Sequence, residues 1–368
     1  MKINRISVYQ IDLALHKPYW LSGGRLRFDA LDSTFVCIET DSGLEGWGEG
    51  CPWGETYLPA FGGGIRAVLG LVAPQLIGSD PLKVEQLNRN MDFMLPGHEY
   101  GKSAIDIACW DILGQHAEMS VVDLLGGRYD VPVPIASSVS TGTPEQMLEL
   151  IREFRDSGYH VHSAKIGADL ELDIERVKFL NREKNRNEVI FYDANRAWIP
   201  QEAISVMNAV DGGNIWFEQP CETLEQCLQV RRQTSHPICI DEGLKIFNDL
   251  LRISNDGIAE IVNIKLNRVG GLTKARRMRD FCLDAGIAML VMETGGSVLA
   301  DTATVHFAQS VPSEFMRGTW LCHEMVGPDV ATGQGARNIN GDVSAPDLPG
   351  LGVKPDVSIL GEPVAVYE

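Results

Sequence analysis

Five short segments of the chain each end in a residue that can do acid–base or metal chemistry. They are Ser163-Ala164-Lys165, Tyr192-Asp193-Ala194-Asn195, Phe217-Glu218-Gln219-Pro220, Ile240-Asp241-Glu242 and Ile264-Lys265-Leu266-Asn267. Each closes a β-rich run. If the runs end on one face, Lys, Asp, Glu, Asp and Lys meet there. Three carboxylates in a partly buried cavity repel one another, and a divalent cation resolves the conflict. Three oxygen ligands plus waters or substrate oxygens suit Mg2+, which makes Asp193, Glu218 and Asp241 the candidate ligands. Lys165 and Lys265 would flank the cation, whose charge should lower their pKa values towards neutrality. One lysine could then accept a proton and the other donate one. Such a set suits abstraction of a proton next to a carboxylate, with the enolate held by the metal. Any one of these residues alone reads more readily as a loop residue, a helix N-cap or a snorkelling lysine. Five in register carry the inference.

The elements that must position them follow from a repeat. β-rich runs end near Ser140, Lys165, Asp193, Glu218, Asp241, Lys265, Glu293 and Arg317, about 25 residues apart. Helical patterns lie between them, such as Met147, Leu148, Leu150, Ile151 and Phe154, and Gly158, Gly213, Gly257 and Gly286 lie where helices should stop. Eight such units predict a closed (β/α)8 barrel, an α/β fold, whose strand ends share one face. An open doubly wound sheet would carry a Gly-rich phosphate turn after its first strand, and none is present.

Before the barrel the pattern changes. Residues 2–13 and 34–40 alternate apolar and polar, and Gly43, Gly46 and Gly48 punctuate the return. Helical stretches are expected over about 64–93 and from Ser103, with Ile105, Ala108, Cys109, Ile112 and Leu113 on one face. This gives an α+β domain over 1–128. Val131-Pro132-Val133-Pro134 makes the crossing to a barrel over 129–339. A Gly- and Pro-rich tail, 340–368, is expected to pack back on the first domain.

Composition narrows the function classes. The 368 residues are 44% hydrophobic and 22% charged, which excludes disorder as a description of the whole. Thirty-two Lys+Arg against fifty Asp+Glu give a net charge of −18 without a basic cluster, so neither nucleic acid nor an anionic membrane is an expected partner. No apolar run is long enough to span a bilayer, and MKINRISVYQIDL alternates like a strand instead of forming a signal peptide's apolar block. Cys37, Cys51, Cys109, Cys221, Cys227, Cys239, Cys282 and Cys322 form no CxxC and read as buried free thiols of a reducing compartment. A cytoplasmic homo-oligomer acting on a small molecule is the expectation.

Some motifs mislead. Gly97-His98-Glu99-Tyr100-Gly101-Lys102-Ser103 resembles a phosphate loop but has three residues between its glycines where four are needed. Gly62-Gly63-Gly64 reads as a loop. His160 and His162 share a strand face and read as a solvated or core pair.

Asp193-x-Asn195-x-x-Trp198, Phe217-Glu218-Gln219-Pro220, Asp241-Glu242 and Lys265-x-x-x-x-Gly270-Gly271 together resemble motifs of the enolase superfamily over essentially the whole chain. Lysines on strands two and six resemble its muconate lactonizing enzyme-like subgroup, and the Met289–Glu293 strand carries no histidine of the mandelate racemase kind. The resemblance implies a capping domain over the barrel and one Mg2+ per subunit on Asp193, Glu218 and Asp241, with Mn2+ as a substitute. Lys165 and Lys265 would be the catalytic pair. The subgroup usually has Lys-x-Lys on strand two, where this chain has Ser163-x-Lys165. One device for depressing the Lys165 pKa is thereby absent, and Ser163 leaves room or a hydrogen bond near the substrate. Finer likeness in His162–Gly167, Tyr192–Trp198 and Gly48–Gly54 implies dehydration of cis-3-hydroxy-L-proline to Δ1-pyrroline-2-carboxylate. 2-Epimerisation of a proline betaine or hydroxyproline betaine by two-base proton transfer is the alternative. Capping loops set the substrate in this superfamily, so Trp20, Trp53 and Tyr57, with Trp320 past strand eight, are candidates to face an ammonium group. Ser163, Asn195, Glu293 and Thr294 complete the expected substrate contacts. A catalytically silent barrel would be expected to have lost a lysine or a ligand, and this chain keeps all five.

Overall fold

The computed structural model describes residues 1–21, 24, 26–210 and 215–368, so Gly213 lies outside the described residues. Three strands open the chain as an antiparallel meander: β1 (Ile3–Leu21), β2 (Leu26–Thr40) and β3 (Glu45–Gly50). Three helices pack on it: α1 (Gly62–Leu76), α2 (Val84–Met94) and α3 (Glu99–Ala117). Helix α3 crosses β3 so closely that a Cβ on Gly48 would stand 1.9 Å from the Ala104 carbonyl oxygen. Gly46 and Gly48 therefore permit helix contact, and of the three glycines expected to punctuate the return only Gly43, at φ 82°, lies in the turn. The single helical stretch expected over 64–93 is two helices. Gly78, at φ 80°, turns the chain after α1, and Pro81 cannot extend a helix across the gap.

Eight parallel strands follow: Ala136–Val139, Val161–Lys165, Val189–Asp193, Phe217–Glu218, Ile238–Ile240, Ile261–Lys265, Ala288–Met292 and Met316–Gly318. Their ends fall where the repeat placed them. The first and last are joined by a parallel bridge between Ile135 and Thr319, and the Ala136 N–H donates to the Thr319 carbonyl at 2.7 Å. The sheet is thus a closed barrel, with a helix after each of the first seven strands. The helix after the first strand starts at a Thr143–Gln146 capping box, and Gly257 and Gly286 end two others in left-handed conformations.

Side chains alternate across each strand, and this sets the site. Val161, Phe191, Trp216, Cys239 and Ile261 fill the barrel interior. Lys165, Asp193, Glu218, Asp241 and Lys265 share their parity and so point inward one or two layers above. His162 has the opposite parity. It is buried among the surrounding helices, its Nδ1 bonded to the Ser137 hydroxyl at 2.7 Å, which makes it a core histidine.

Two late segments reach back to the first sheet. Val326–Gly327 and Ala365–Tyr367 each pair antiparallel with β1. All eight cysteines are buried and unbridged. Among the described residues no helix is long and apolar enough to cross a membrane.

Candidate active site

Strand register brings the predicted residues together. Lys165 pairs across the sheet with Asp193, and Asp193 with Glu218. All five charged side chains line one cavity at the barrel mouth, with Ser163, Asn195, Glu293, Thr294, Tyr57 and Trp320. Lys165 Nζ lies 2.5 Å from Asp193 Oδ2, and Lys265 Nζ lies 2.9 Å from Asp241 Oδ2. Glu218 sits between those pairs, its Oε1 accepting from Asn263 Nδ2 at 2.8 Å. Strands two and six stand four apart in a ring of eight, so the two lysines face each other across the mouth.

The row of carboxylates is under electrostatic stress. Burial, then the charges of Asp193 and Asp241, push the Glu218 carboxyl well above its ordinary range. Burial also works against Asp241, but Lys265 and Arg268 outweigh it and hold that carboxyl down at about 2. Arg268 Nη1 stands 2.7 Å from Asp241 Oδ1. Burial lowers the Lys165 pKa, but Asp193, Tyr19 and Glu218 together raise it above the usual ammonium value; the depression expected of Lys165 is a bound cation's effect on this balance.

Among the described residues no group of three or more His, Cys, Asp or Glu is gathered to hold a cation, and each outer carboxylate holds a lysine ammonium. The donor chemistry nonetheless fits a hard divalent ion. Three oxygen-bearing side chains from adjacent strands converge, and the middle one resists ionisation until positive charge arrives. Positive charge on the row would also free both lysines for proton transfer.

The first domain closes the cavity. Tyr19, Leu21 and Trp53 line it, Trp53 packing on Trp320 with ring centroids 5.8 Å apart and on Tyr19 at 5.2 Å. Trp20, expected as a substrate contact, is not in the lining. It is 49% exposed under the Arg27 guanidinium. Leu13, Tyr19 and Leu21 share one parity of β1 and face inward, so Trp20 points out. Tyr57 lines the cavity but its hydroxyl is committed to Glu242, and Asn195, at φ 44°, turns its Nδ2 onto Asp193 Oδ2 at 3.1 Å. Glu293 accepts from the N–H groups of Asn267 and Thr294, and burial pushes its carboxyl up to about 8.

Ser138, Asn263, Met292 and Arg268 were not anticipated. Ser138 and Asn263 are inward residues one layer below Lys165 and Lys265, Met292 ends its own strand in register with Lys265, and counting back by two from Lys265 would have found Asn263. Ser138 is bonded to the Tyr19 hydroxyl.

Comparison with known proteins agrees with this geometry. Residues 8–126 match the mandelate racemase / muconate lactonizing enzyme N-terminal domain, and residues 146–359 match the enolase C-terminal domain-like family. A cis-3-hydroxy-L-proline dehydratase of Roseibium aggregatum is 40% identical over 368 residues, the full length of both chains. An N-succinyl-L-Arg/Lys racemase of Bacillus cereus is 31% identical over 98% of each chain. A solved enolase-superfamily member from Roseovarius nubinhibens ISM, complexed with magnesium, superposes with a TM-score of 0.96 at 50% identity, covering 100% of this chain and 99% of that one.

Proposed function

The chain belongs to the enolase superfamily, and from that premise we propose that it is a Mg2+-dependent hydro-lyase converting cis-3-hydroxy-L-proline to Δ1-pyrroline-2-carboxylate. The observation that carries this reading is the pair Lys165 and Lys265, set across the mouth from each other with three carboxylates between them. Likeness over full length to a dehydratase of that substrate supports it, and a magnesium complex of a close structural relative supports the metal.

Asp193, Glu218 and Asp241 would hold the ion, Mg2+ or by the same oxygen preference Mn2+. When bound it supplies positive charge for the substrate carboxylate and for the enolate formed from it. Lys165, oriented by Asp193, takes the C2 proton. Lys265, as an ammonium on the other side, gives a proton to the C3 hydroxyl. The C2–H and C3–O bonds break, a C2=C3 bond forms, water leaves, and the enamine tautomerises to the cyclic imine. Tyr19, Trp53 and Trp320 wall the cavity with rings that suit the ring ammonium. We take residues 1–128 and 340–368 as the capping domain and 129–339 as the barrel, and the unbridged thiols favour a reducing, cytoplasmic location.

The test is proton NMR of a panel of proline derivatives incubated with protein and Mg2+ in D2O. Loss of the C3 hydroxyl from cis-3-hydroxy-L-proline is the expected result. Inversion at C2 of a proline betaine, without elimination from any hydroxyproline, would establish the epimerase instead.

A further inference from the structure

The run Gly97–Ser103, which only imitates a phosphate loop, has a place in the molecule that its sequence does not announce. It opens α3, and one face of that helix, Glu99, Ser103, Asp106 and Trp110, meets the chain that leaves the sixth barrel strand just after Lys265. Ser103 Oγ donates to the Tyr100 carbonyl and is bonded to the Asn267 side-chain amide, both at 2.9 Å. Asp106 accepts from the Thr273 N–H at 3.0 Å and from the Thr273 hydroxyl at 2.5 Å. Trp110 Nε1 donates to Thr273 Oγ1 at 2.8 Å, and Lys274 Nζ reaches Glu99 Oε2 at 2.7 Å. The approach is close enough to explain the glycine pair. A Cβ on Gly270 would stand 2.3 Å from Glu99 Oε2, and one on Gly271 would stand 2.3 Å from Asp106 Oδ2.

A second branch reaches the seventh strand. The Tyr100 hydroxyl is bonded to Thr294 Oγ1 at 2.8 Å, and Thr294 lines the cavity. Glu293 closes the circuit, accepting from the N–H groups of Asn267 and Thr294 at 3.1 Å each. Tyr100 and Ser103 are themselves buried and outside the cavity lining.

We infer that Tyr100 and Ser103 are positioning residues: through Asn267, Glu293 and Thr294 the first turn of α3 sets where Lys265 stands relative to the substrate. Lys165, on the opposite side, has no link to this circuit among the described hydrogen bonds. Loosening the circuit should therefore impair the step served by Lys265 and spare the step served by Lys165. The substrate named in the test rests on the proposed function.

The test uses the full chain with Mg2+ and the variants Ser103→Ala, Ser103→Thr and Tyr100→Phe. Glu85→Gln serves as a control, because Glu85 ties α2 to Arg276 and Arg277 and bonds to neither Tyr100 nor Ser103. Elimination from cis-3-hydroxy-L-proline and C2 hydrogen exchange with D2O are followed in parallel. Ser103→Ala and Tyr100→Phe are expected to slow elimination by roughly 10- to 100-fold, the scale of a small misplacement of a reacting group. C2 exchange should stay within about threefold of wild type, Ser103→Thr should restore elimination, and Glu85→Gln should change neither. Unchanged elimination in both variants, or an equal fall in elimination and exchange, would overturn the inference. If the wild type fails to eliminate, the proposed function has failed instead. The same variants are then read on C2 exchange of D- and L-configured substrates, where a loss confined to one configuration supports the circuit and an equal loss or none refutes it.

Discussion

The Tyr57 hydroxyl donates to Glu242 Oε1 at 2.5 Å, joining the loop after β3 to the end of the fifth barrel strand. Arg196 secures the same loop, donating to the Tyr57 carbonyl at 2.8 Å with its guanidinium 5.1 Å from the ring centroid. Burial, then Asp241 and Asp193, raise the Glu242 carboxyl to about 7, so the tyrosine serves a stressed group. Because this loop carries Trp53 over the cavity, Tyr57→Phe should loosen the substrate's wall more than the chemistry beneath it. KM is expected to rise about tenfold, ~1.4 kcal/mol, with kcat within a few fold, as read from steady-state kinetics. An unchanged KM would mean that Arg196 alone holds the loop.

Burial, and then the charges of Asp193 and Asp241 on either side, raise the Glu218 pKa. An acid raised by folding contributes stability only at low pH, and the contribution is lost as pH climbs from its unfolded value of about 4.3. At neutral pH without metal Glu218 therefore strains the fold. Glu218→Gln should melt at the same temperature as wild type or higher in EDTA, gain less from added Mg2+, and lack activity. Calorimetry with and without Mg2+ checks the first two points. Full activity would remove Glu218 from the ligand set.

Much of this was legible because barrels repeat. Lys165, Asp193, Glu218, Asp241 and Lys265 could be placed on one face by strand spacing alone, since every strand end of a closed parallel barrel faces the same way. The first domain offered no such rule. Trp20 was expected in the cavity and Tyr19 was not, because alternation predicts β1 only over residues 2–13, and the parity that turns Leu13, Tyr19 and Leu21 inward runs on beyond it. The break between α1 and α2 was marked by Gly78 and Pro81, while Pro74 remains inside α1. Ser103–Asn267 and Tyr100–Thr294 join residues far apart in the chain, and no local pattern encodes such contacts.

His306 provides a pH test of the packing behind the site. It is fully buried, its Nδ1 accepting from the Val122 N–H at 3.2 Å and its Nε2 meeting the Leu351 carbonyl at 3.0 Å. Burial lowers its pKa from 6.5 to about 4. Folding thus favours the neutral ring, so its contribution is complete above pH ~6.5 and is lost as pH falls towards 4, on the order of 3 kcal/mol in all. Urea unfolding from pH 7 to 4 should show a stability loss in wild type that is smaller in His306→Gln. Parallel curves would assign the acid sensitivity elsewhere.

The two lysines should be separable. Lys165→Ala and Lys265→Ala are each expected to abolish dehydration. Only the variant that keeps the base should still exchange the C2 proton with D2O, and the proposed assignment makes that variant Lys265→Ala. Exchange surviving in Lys165→Ala would swap the roles of the pair. Turnover near the wild-type rate in either would mean that the chemistry lies elsewhere.

The stereochemistry of the substrate follows from the geometry of that pair. In cis-3-hydroxy-L-proline the hydroxyl and carboxylate share a ring face, so the C2 hydrogen and the leaving hydroxyl lie on opposite faces. Lys165 and Lys265 stand on strands four apart around the mouth and approach the substrate from opposite sides. One can take the C2 proton while the other protonates the departing hydroxyl, an anti elimination. In trans-3-hydroxy-L-proline both groups lie on one face, and the acid is on the wrong side. A positioned general acid contributes about 10²- to 10⁴-fold, so kcat/KM for the cis isomer should exceed that for the trans isomer by at least about 10². Competition of the two isomers for limiting enzyme, followed by release of the imine product, measures the ratio directly. Equal rates would exclude a two-sided mechanism, because a single lysine serving both steps from one face would favour the trans isomer or neither.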